Sequence, residues 1–218
     1  QQLNIAGQEL HITASIGISL MDSELSEPMQ MVQQADLAMY RAKQLGRNNC
    51  QWYSAELDIA LSKQLTLRSQ LKKAISNAEF ELYYQPQIDA ISGDIVGVEA
   101  LLRWPHPVQG FISPDEFIPL AEELRLIINM THQLLERALS DLKQWHEDGH
   151  HIYLSINLST QHLEQPALAE HTRFLLSKYQ LPASCLRFEV TESALMRDLQ
   201  SAIETMLALS NLGVQLAL

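Results

Sequence analysis

Cysteine is nearly absent from this sequence: Cys50 and Cys185 are the only two in 218 residues, and no C-x-x-C pair occurs. That excludes a disulfide framework and fits a reducing, cytoplasmic compartment. No apolar run approaches the roughly 18 residues of a membrane span, and no signal-peptide pattern opens the chain. An anchor, including one in an inner membrane, is expected only outside these residues. Basic side chains are outnumbered, 15 Lys and Arg against 26 Asp and Glu, for a net charge of -11. Such a surface repels polyanions, so duplex nucleic acid is not an expected partner. An initiator Met is also missing, and Gly213 to Leu218 (GVQLAL) reads as the middle of a buried strand. A piece of a longer protein is therefore expected.

What is present is a core-forming composition, 46% hydrophobic and 19% charged, enough for one or two globular domains. HITASIGISL, His11 to Leu20, alternates as one strand does. After Pro28, Met31, Val32, Ala35, Ala38, Met39 and Ala42 recur at helical spacing up to Gly46. Gln51 to Tyr53 is a short extended piece. From Ala55 a second helix sets Leu57, Leu61, Leu65, Leu71 and Ile75 on one stripe and reads as a connector. Beyond it the pattern becomes strand and helix in alternation. Glu79 to Asp89 and Asp94 to Trp104 flank a turn at Ser92-Gly93 as a hairpin. Helices over 114–128 and 131–147, a strand over 151–159, a largely helical 163–179, a strand over 185–193 and a largely helical 194–212 lead to the terminal strand. Such alternation implies parallel strands, closed either as a doubly wound sheet or as a (β/α) barrel.

One motif invites a metalloprotease reading. His146-Glu147-Asp148-Gly149-His150 has the H-E-x-x-H spacing with which a helix presents two imidazoles to zinc. Gly149, however, is the residue type that ends helices in a left-handed conformation. His150 then lies past the helix end and the two rings lose their alignment, so the match is expected to be accidental.

Carboxylates and amides in otherwise apolar strands carry more information, because burying them without partners costs several kcal/mol. Glu99 interrupts Val96, Val98, Leu101 and Leu102. Asn157 interrupts Ile152, Leu154, Ile156 and Leu158, and Glu189 with Glu192 interrupts Leu186, Phe188 and Val190. All fall late in their strands, where barrel active sites are built. Two carboxylates and an amide oxygen suit a hard cation such as Mg²⁺ or Mn²⁺. Ion pairing with nearby Arg or Lys accounts for the same pattern.

Tyr84-Gln85-Pro86, Glu99-Ala100-Leu101-Leu102-Arg103-Trp104, Ile118-Pro119-Leu120-Ala121-Glu122, Ser155-Ile156-Asn157-Leu158-Ser159 and Glu189-Val190-Thr191-Glu192-Ser193 together resemble the EAL domain of cyclic di-GMP phosphodiesterases. Thr13-Ala14-Ser15-Ile16-Gly17-Ile18, Ala35-Asp36-Leu37-Ala38-Met39-Tyr40-Arg41-Ala42-Lys43 and Gly46-Arg47-Asn48 resemble the end of a GGDEF, or diguanylate cyclase, domain. The resemblance implies an α/β protein: residues 1–53 closing a GGDEF domain, 54–78 a connecting helix, and 79–218 the first part of an EAL domain. Residues 79–218 fall well short of the about 250 typical of a closed (β/α) barrel, so an incomplete TIM-like barrel is expected.

The resemblance also implies roles. Glu99, Asn157 and Glu189 match metal ligands, with Glu99 and Glu189 catalytic, and Glu192 matches a residue supporting a loop around a second metal. Arg103 matches a phosphate contact, and Gln85 and Leu102 line the substrate pocket. Lys43 and Arg47 match nucleotide-phosphate contacts of the GGDEF part, although cations at a solvated helix end account for them as well. The implied reaction is metal-dependent hydrolysis of cyclic di-GMP to linear pGpG. The family's Asp-Asp-Phe-Gly-Thr-Gly motif and catalytic Lys are absent from these residues, so the chain by itself is expected to be inactive. A homodimer through the EAL part is a further expectation. A silent cyclic di-GMP receptor or an interaction module is the alternative. Arg125 stands where the family usually has Gly.

Overall fold

The structure, a computed structural model, describes residues 2–5, 8–20, 28–190 and 199–217. The chain forms two compact units, Gln1–Ser69 and Gln70–Leu218.

In the first unit β1 (Gln2–Ile5) and β2 (Gln8–His11) pair antiparallel, and β3 (Ile16–Ile18) pairs in parallel with β4 (Cys50–Trp52). Of the single strand expected over His11 to Leu20, only His11, which closes β2, and Ile16–Ile18 are in strands. Ile12, at 53% exposure, lies between them, and β4 offers only three residues for β3 to pair with. Helix α1 (Pro28–Gln44) buries Ala38 and Ala42, while Val32 of the expected stripe is exposed. Its approach to β3 is set by Gly17: a Cβ there would sit 1.9 Å from the Ala35 carbonyl oxygen and 2.2 Å from the Met39 nitrogen.

Helix α2 (Ala55–Ser76) runs through the division between the units. It buries Leu61, Leu67, Leu71, Ala74 and Ile75, whereas Leu65 is 58% exposed. At 3.6 residues per turn Leu65 lies about 120° around the helix from Leu71, off the buried stripe although it is only one turn from Leu61.

The second unit is built on a sheet ordered β10-β9-β8-β6-β5. Strands β5 (Glu81–Ile88) and β6 (Ile95–His106) form the expected hairpin, with Gly93 at φ +78 in the turn. Strand β7 (Gly110–Ile112), not anticipated from the sequence, folds back on the end of β6. Strands β8 (Tyr153–Leu158), β9 (Leu186–Val190) and β10 (Gln215–Ala217) continue from β6 in parallel.

The helices are α3 (Pro114–Glu123), α4 (Ile127–Glu147), the one-turn α5 (Thr160–Leu163), α6 (Ala167–Tyr179) and α7 (Leu199–Asn211). Val98, Ala100, Leu154, Ile156, Leu158, Leu186, Phe188 and Val190 pack in one core with Leu135, Leu139 and Leu142 of α4, Leu168 and Leu175 of α6 and Leu209 of α7. One sheet face is thus covered by helices, the α/β arrangement of a (β/α) barrel.

The break between α3 and α4 falls at 124–126, earlier than the one expected near Asn129. There Arg125 adopts φ +55, donating its N–H to the Glu122 carbonyl at 3.0 Å while the Leu126 N–H reaches the Ala121 carbonyl at 2.7 Å. This is a Schellman stop without its glycine. Within α5, His162 is 1% exposed, and its Nδ1 accepts the backbone N–H of the preceding Ser159 at 3.0 Å. Burial pushes its pKa down to about 4.

Two consequences are measurable. Gly17→Ala drives a methyl into backbone and costs about 3 kcal/mol, the upper end of overpacking losses, read as a lowered denaturation midpoint of the first unit; an unchanged midpoint would refute the close approach. The His162 proton is bound by the unfolded chain below about pH 6.5 but by the folded chain only below about 4. Its contribution to stability is therefore complete above the unfolded pKa and is lost as pH falls toward 4, up to about 3 kcal/mol. His162→Gln keeps a capping acceptor and should flatten urea-measured stability across that window; a slope equal to wild type would exclude His162 as its source.

Candidate active site

Strand pairing places the polar residues. Glu99 lies opposite Gln85 on β5 and Ser155 on β8, while Asn157 lies opposite Glu189 on β9, which in turn faces Ala217 on β10. Because successive strand residues point to opposite faces, Gln85, Glu99, Ser155, Asn157 and Glu189 share the face turned away from the helices. Burial follows the alternation: Leu186, Phe188 and Val190 are buried, while Arg187 and Glu189 between them are half-buried.

On that face Asn157 donates its Nδ2 to Glu99 Oε1 at 2.7 Å. Glu189 occupies the neighbouring register position on the far side of Asn157. Among the described residues no Lys or Arg forms an ion pair with Glu99 or Glu189. The nearest strand cation in register, Arg187, is engaged elsewhere: it donates Nε and Nη2 to Gln215 Oε1 at 3.1 and 2.8 Å and lies 4.0 Å from the Tyr153 ring centre. Among the described residues, ion pairing does not account for these carboxylates.

Ser155, missed in the sequence, lies between Glu99 and Arg187 in register; it is fully buried and its Oγ has no hydrogen-bond partner among the described residues. Its position two residues before Asn157, hence on the same face, is the signal that identifies it.

The donor set of Glu99, Asn157 and Glu189 is all oxygen once the amide is turned, which is the chemistry of a hard divalent cation. The unpartnered Ser155 hydroxyl beside it suits a hydrated ion that keeps part of its water shell. Among the described residues no three His, Cys, Asp or Glu side chains come together as a metal cluster. Glu192 lies outside the described residues.

Arg103 sits four residues beyond Glu99 on β6, about 13 Å along the strand. It donates Nη1 to the Leu102 carbonyl at 2.9 Å. Leu102 points the other way, paired with Leu82. Leu82, Leu102, Arg103, Ile118, Met130 and Asn157 line a cavity of about 170 Å³ at the strand ends, and most of its lining is apolar. In the first unit Lys43, in the last turn of α1, and Arg47, at φ +62, are both exposed.

The histidine motif does not form a metal site. The Gly149 N–H reaches the His146 carbonyl at 3.1 Å and the His150 N–H the Trp145 carbonyl at 2.8 Å, with Gly149 at φ +91. His146 Nε2 meets the Ile152 carbonyl at 2.8 Å. One imidazole is thus committed to backbone and the other lies past the helix. Among the described residues no helix is long and apolar enough to cross a membrane.

The EAL domain family model matches residues 68–218, and the diguanylate cyclase, GGDEF domain model matches residues 1–49. The chain belongs to the EAL domain family, with a GGDEF segment ahead of it. It is 35% identical over 219 residues to the bifunctional diguanylate cyclase/cyclic di-GMP phosphodiesterase MucR of Pseudomonas aeruginosa, covering 100% of this chain and 32% of the relative. It is 34% identical to the cyclic di-GMP phosphodiesterase NbdA of the same organism, covering 100% of this chain and 28% of that protein. The chain therefore spans about a third of the length of these curated relatives. A solved MucR phosphodiesterase in complex with c-di-GMP superposes with a TM-score of 0.66 at 36% identity, covering 69% of this chain and 62% of that one. The EAL enzyme Bd1971, bound to cAMP and cyclic-di-GMP, gives 0.67 at 27% identity, covering 89% and 51%. The incomplete barrel of EAL type expected from the motifs is the fold found.

Replacing His146 and His150 together by Ala should leave the zinc content of the purified protein unchanged. A stoichiometric zinc lost in that double variant would reinstate the protease reading.

Proposed function

We propose that the intact protein containing these residues hydrolyses cyclic di-GMP to linear pGpG, using Glu99, Asn157 and Glu189 to hold a divalent cation, Mg²⁺ or Mn²⁺. The observation that carries this reading is the Glu99 carboxylate, hydrogen-bonded by Asn157 at 2.7 Å and free of ion pairs among the described residues, with Glu189 next in register. A cation held there supplies Lewis-acid activation of water and offsets charge on the phosphodiester. Arg103 offers a planar fork to a phosphate. Gln85, in register with Glu99, orients the ring of the dinucleotide from β5, while Leu102, on the opposite face of β6, lines the cavity that Arg103 and Asn157 also line. The family resemblance assigns Glu192, outside the described residues, the support of a loop around a second metal.

In the first unit Lys43 and Arg47 contact a nucleotide phosphate. The same reading assigns residues 1–53 to the GGDEF part, 54–78 to a connecting helix and 79–218 to the EAL part. It places the protein in the cytoplasm and joins two copies through their EAL parts. The names of MucR and NbdA support the substrate, and the shared fold supports the placement of the site.

Glu99→Ala in the intact protein should cut Mg²⁺-dependent release of pGpG by at least about a hundredfold, more than loss of an outer-shell partner does, while leaving the thermal melt unchanged. Full turnover by the variant removes Glu99 from the reaction. Cyclic di-GMP bound by wild type but never consumed would make the protein a receptor.

A further inference from the structure

The catalytic face carries a feature that the proposed roles leave unused. Tyr83 on β5 is two residues from Gln85 and opposite Leu101, so it projects on the same side of the sheet as Gln85 and Glu99. Phe111 on β7 lies opposite Pro105 of β6, two residues past Arg103. The two rings meet edge to face, with centres 6.0 Å apart and planes at 74°. The Arg103 guanidinium lies 5.7 Å from the Tyr83 ring centre. Yet Tyr83 is 47% and Phe111 59% exposed.

Aromatics needed for packing behave differently in this same unit. Phe80, Trp104 and Phe117 also pack with one another, at 5.4 to 5.8 Å, but each is at most 5% exposed. Tyr84, the neighbour of Tyr83, points to the helices, where its hydroxyl donates to Asp141 at 2.6 Å and its ring packs edge to face on Trp145. Tyr83 and Phe111 therefore form an aromatic corner that the core does not use. Exposed apolar residues elsewhere in the unit, such as Ile88, Ile91 and Ile95 near the hairpin turn, have no carboxylate–amide pair or cation on their face. The aromatic corner has both: Glu99 with Asn157 on one side, and Arg103 against the ring.

We propose that Tyr83, backed edge-on by Phe111, is the stacking surface for one nucleobase of the cyclic dinucleotide, beside the phosphate contact at Arg103. This rests on the hydrolysis reading above. A planar base has an extended π-face that an exposed tyrosine can cover. Phe111 holds that tyrosine upright through its edge contact, and the guanidinium at the ring keeps the phosphate of the same nucleotide within reach. Base–aromatic stacking of this kind changes affinity by about tenfold or more per base. It acts on bound substrate and transition state alike, so its loss raises KM and leaves kcat in place.

The test is steady-state kinetics with cyclic di-GMP and Mg²⁺ on the intact protein. Tyr83→Leu should raise KM about tenfold with kcat within about twofold, Phe111→Leu should raise it less, and Tyr83→Phe should restore the wild-type value. Both side chains are exposed, so all three variants should melt as wild type does. Unchanged KM in Tyr83→Leu with active wild type overturns the stacking role and leaves the hydrolysis reading standing. A fall in kcat at constant KM also overturns it, because Tyr83 would then act by holding Arg103. Wild type that neither binds nor consumes cyclic di-GMP overturns both.

Discussion

Register between β6, β8 and β9 is the constraint on which the second unit depends. A slip of one residue in any of these strands would exchange its two faces. Leu154, Ile156 and Leu158 would then face solvent while Ser155 and Asn157 entered the helix-covered core, with Glu189 following if β9 slipped. The apolar residues packed against α4, α6 and α7 therefore fix more than stability. By holding Val98, Ile156 and Phe188 inward they fix that Glu99, Asn157 and Glu189 face outward, on three adjacent strands. The site is a by-product of packing on the opposite face, and its precision is that of the core.

The same division explains how two carboxylates without ion pairs among the described residues are tolerated. Inside the core each would cost several kcal/mol. On the open face Glu99 and Glu189 are only half-buried, and Glu99 receives a hydrogen bond from Asn157. Arg187 could have neutralised either, but its guanidinium is spent on Gln215 and the Tyr153 ring. Tyr153 is itself laid flat over β6 because its neighbour there is Gly97, where any Cβ would come within 2.4 Å of the ring. A glycine on one strand and a tyrosine on the next thus divert the local cation and leave the carboxylates available.

How far the fold could be read from the sequence depended on whether local chemistry marks each boundary. The hairpin was legible because Gly93 marks its turn, and the end of α4 because Gly149 does. Helix α3 ends in the same hydrogen-bond pattern as α4, but the residue at the left-handed position is Arg125, and α6 does so with Gln180 at φ +54. A side chain there pays a steric penalty of roughly 1 kcal/mol that tertiary contacts absorb, so no glycine announced the stop. Leu65 misled for another reason: leucines crowd α2, and only the burial of Leu67 and Ala74 shows which belong to its stripe. Strands β1, β2 and β7 are too short for alternation to stand out. At the site, Glu99, Asn157 and Glu189 were visible as polar interruptions of apolar strands. Ser155, Tyr83 and Phe111 were not, because a small hydroxyl and aromatic rings do not disturb a strand's composition; only pairing shows which face they take.

Beyond Asn157 the strand end is held by polar contacts to backbone rather than by apolar packing. Ser159 donates its N–H to the buried ring of His162, which fixes where α5 starts. One residue earlier on that turn, Gln161 donates its Nε2 to the Glu122 carbonyl at 2.6 Å, one of the carbonyls left open at the end of α3. The Arg125 N–H shares that carbonyl. The chain from Asn157 through Ser159 and Gln161 to Glu122 and Arg125 therefore ties the end of β8 to the turn between α3 and α4. Directional bonds of this sort permit less drift than apolar contacts, which slide at little cost. The left-handed Arg125 is the residue at which that tie is strained, and the strain is sustained because both neighbouring N–H groups are paired. Precision at Asn157 accordingly has two sources: the core beneath its strand, and a backbone-directed clasp just past it.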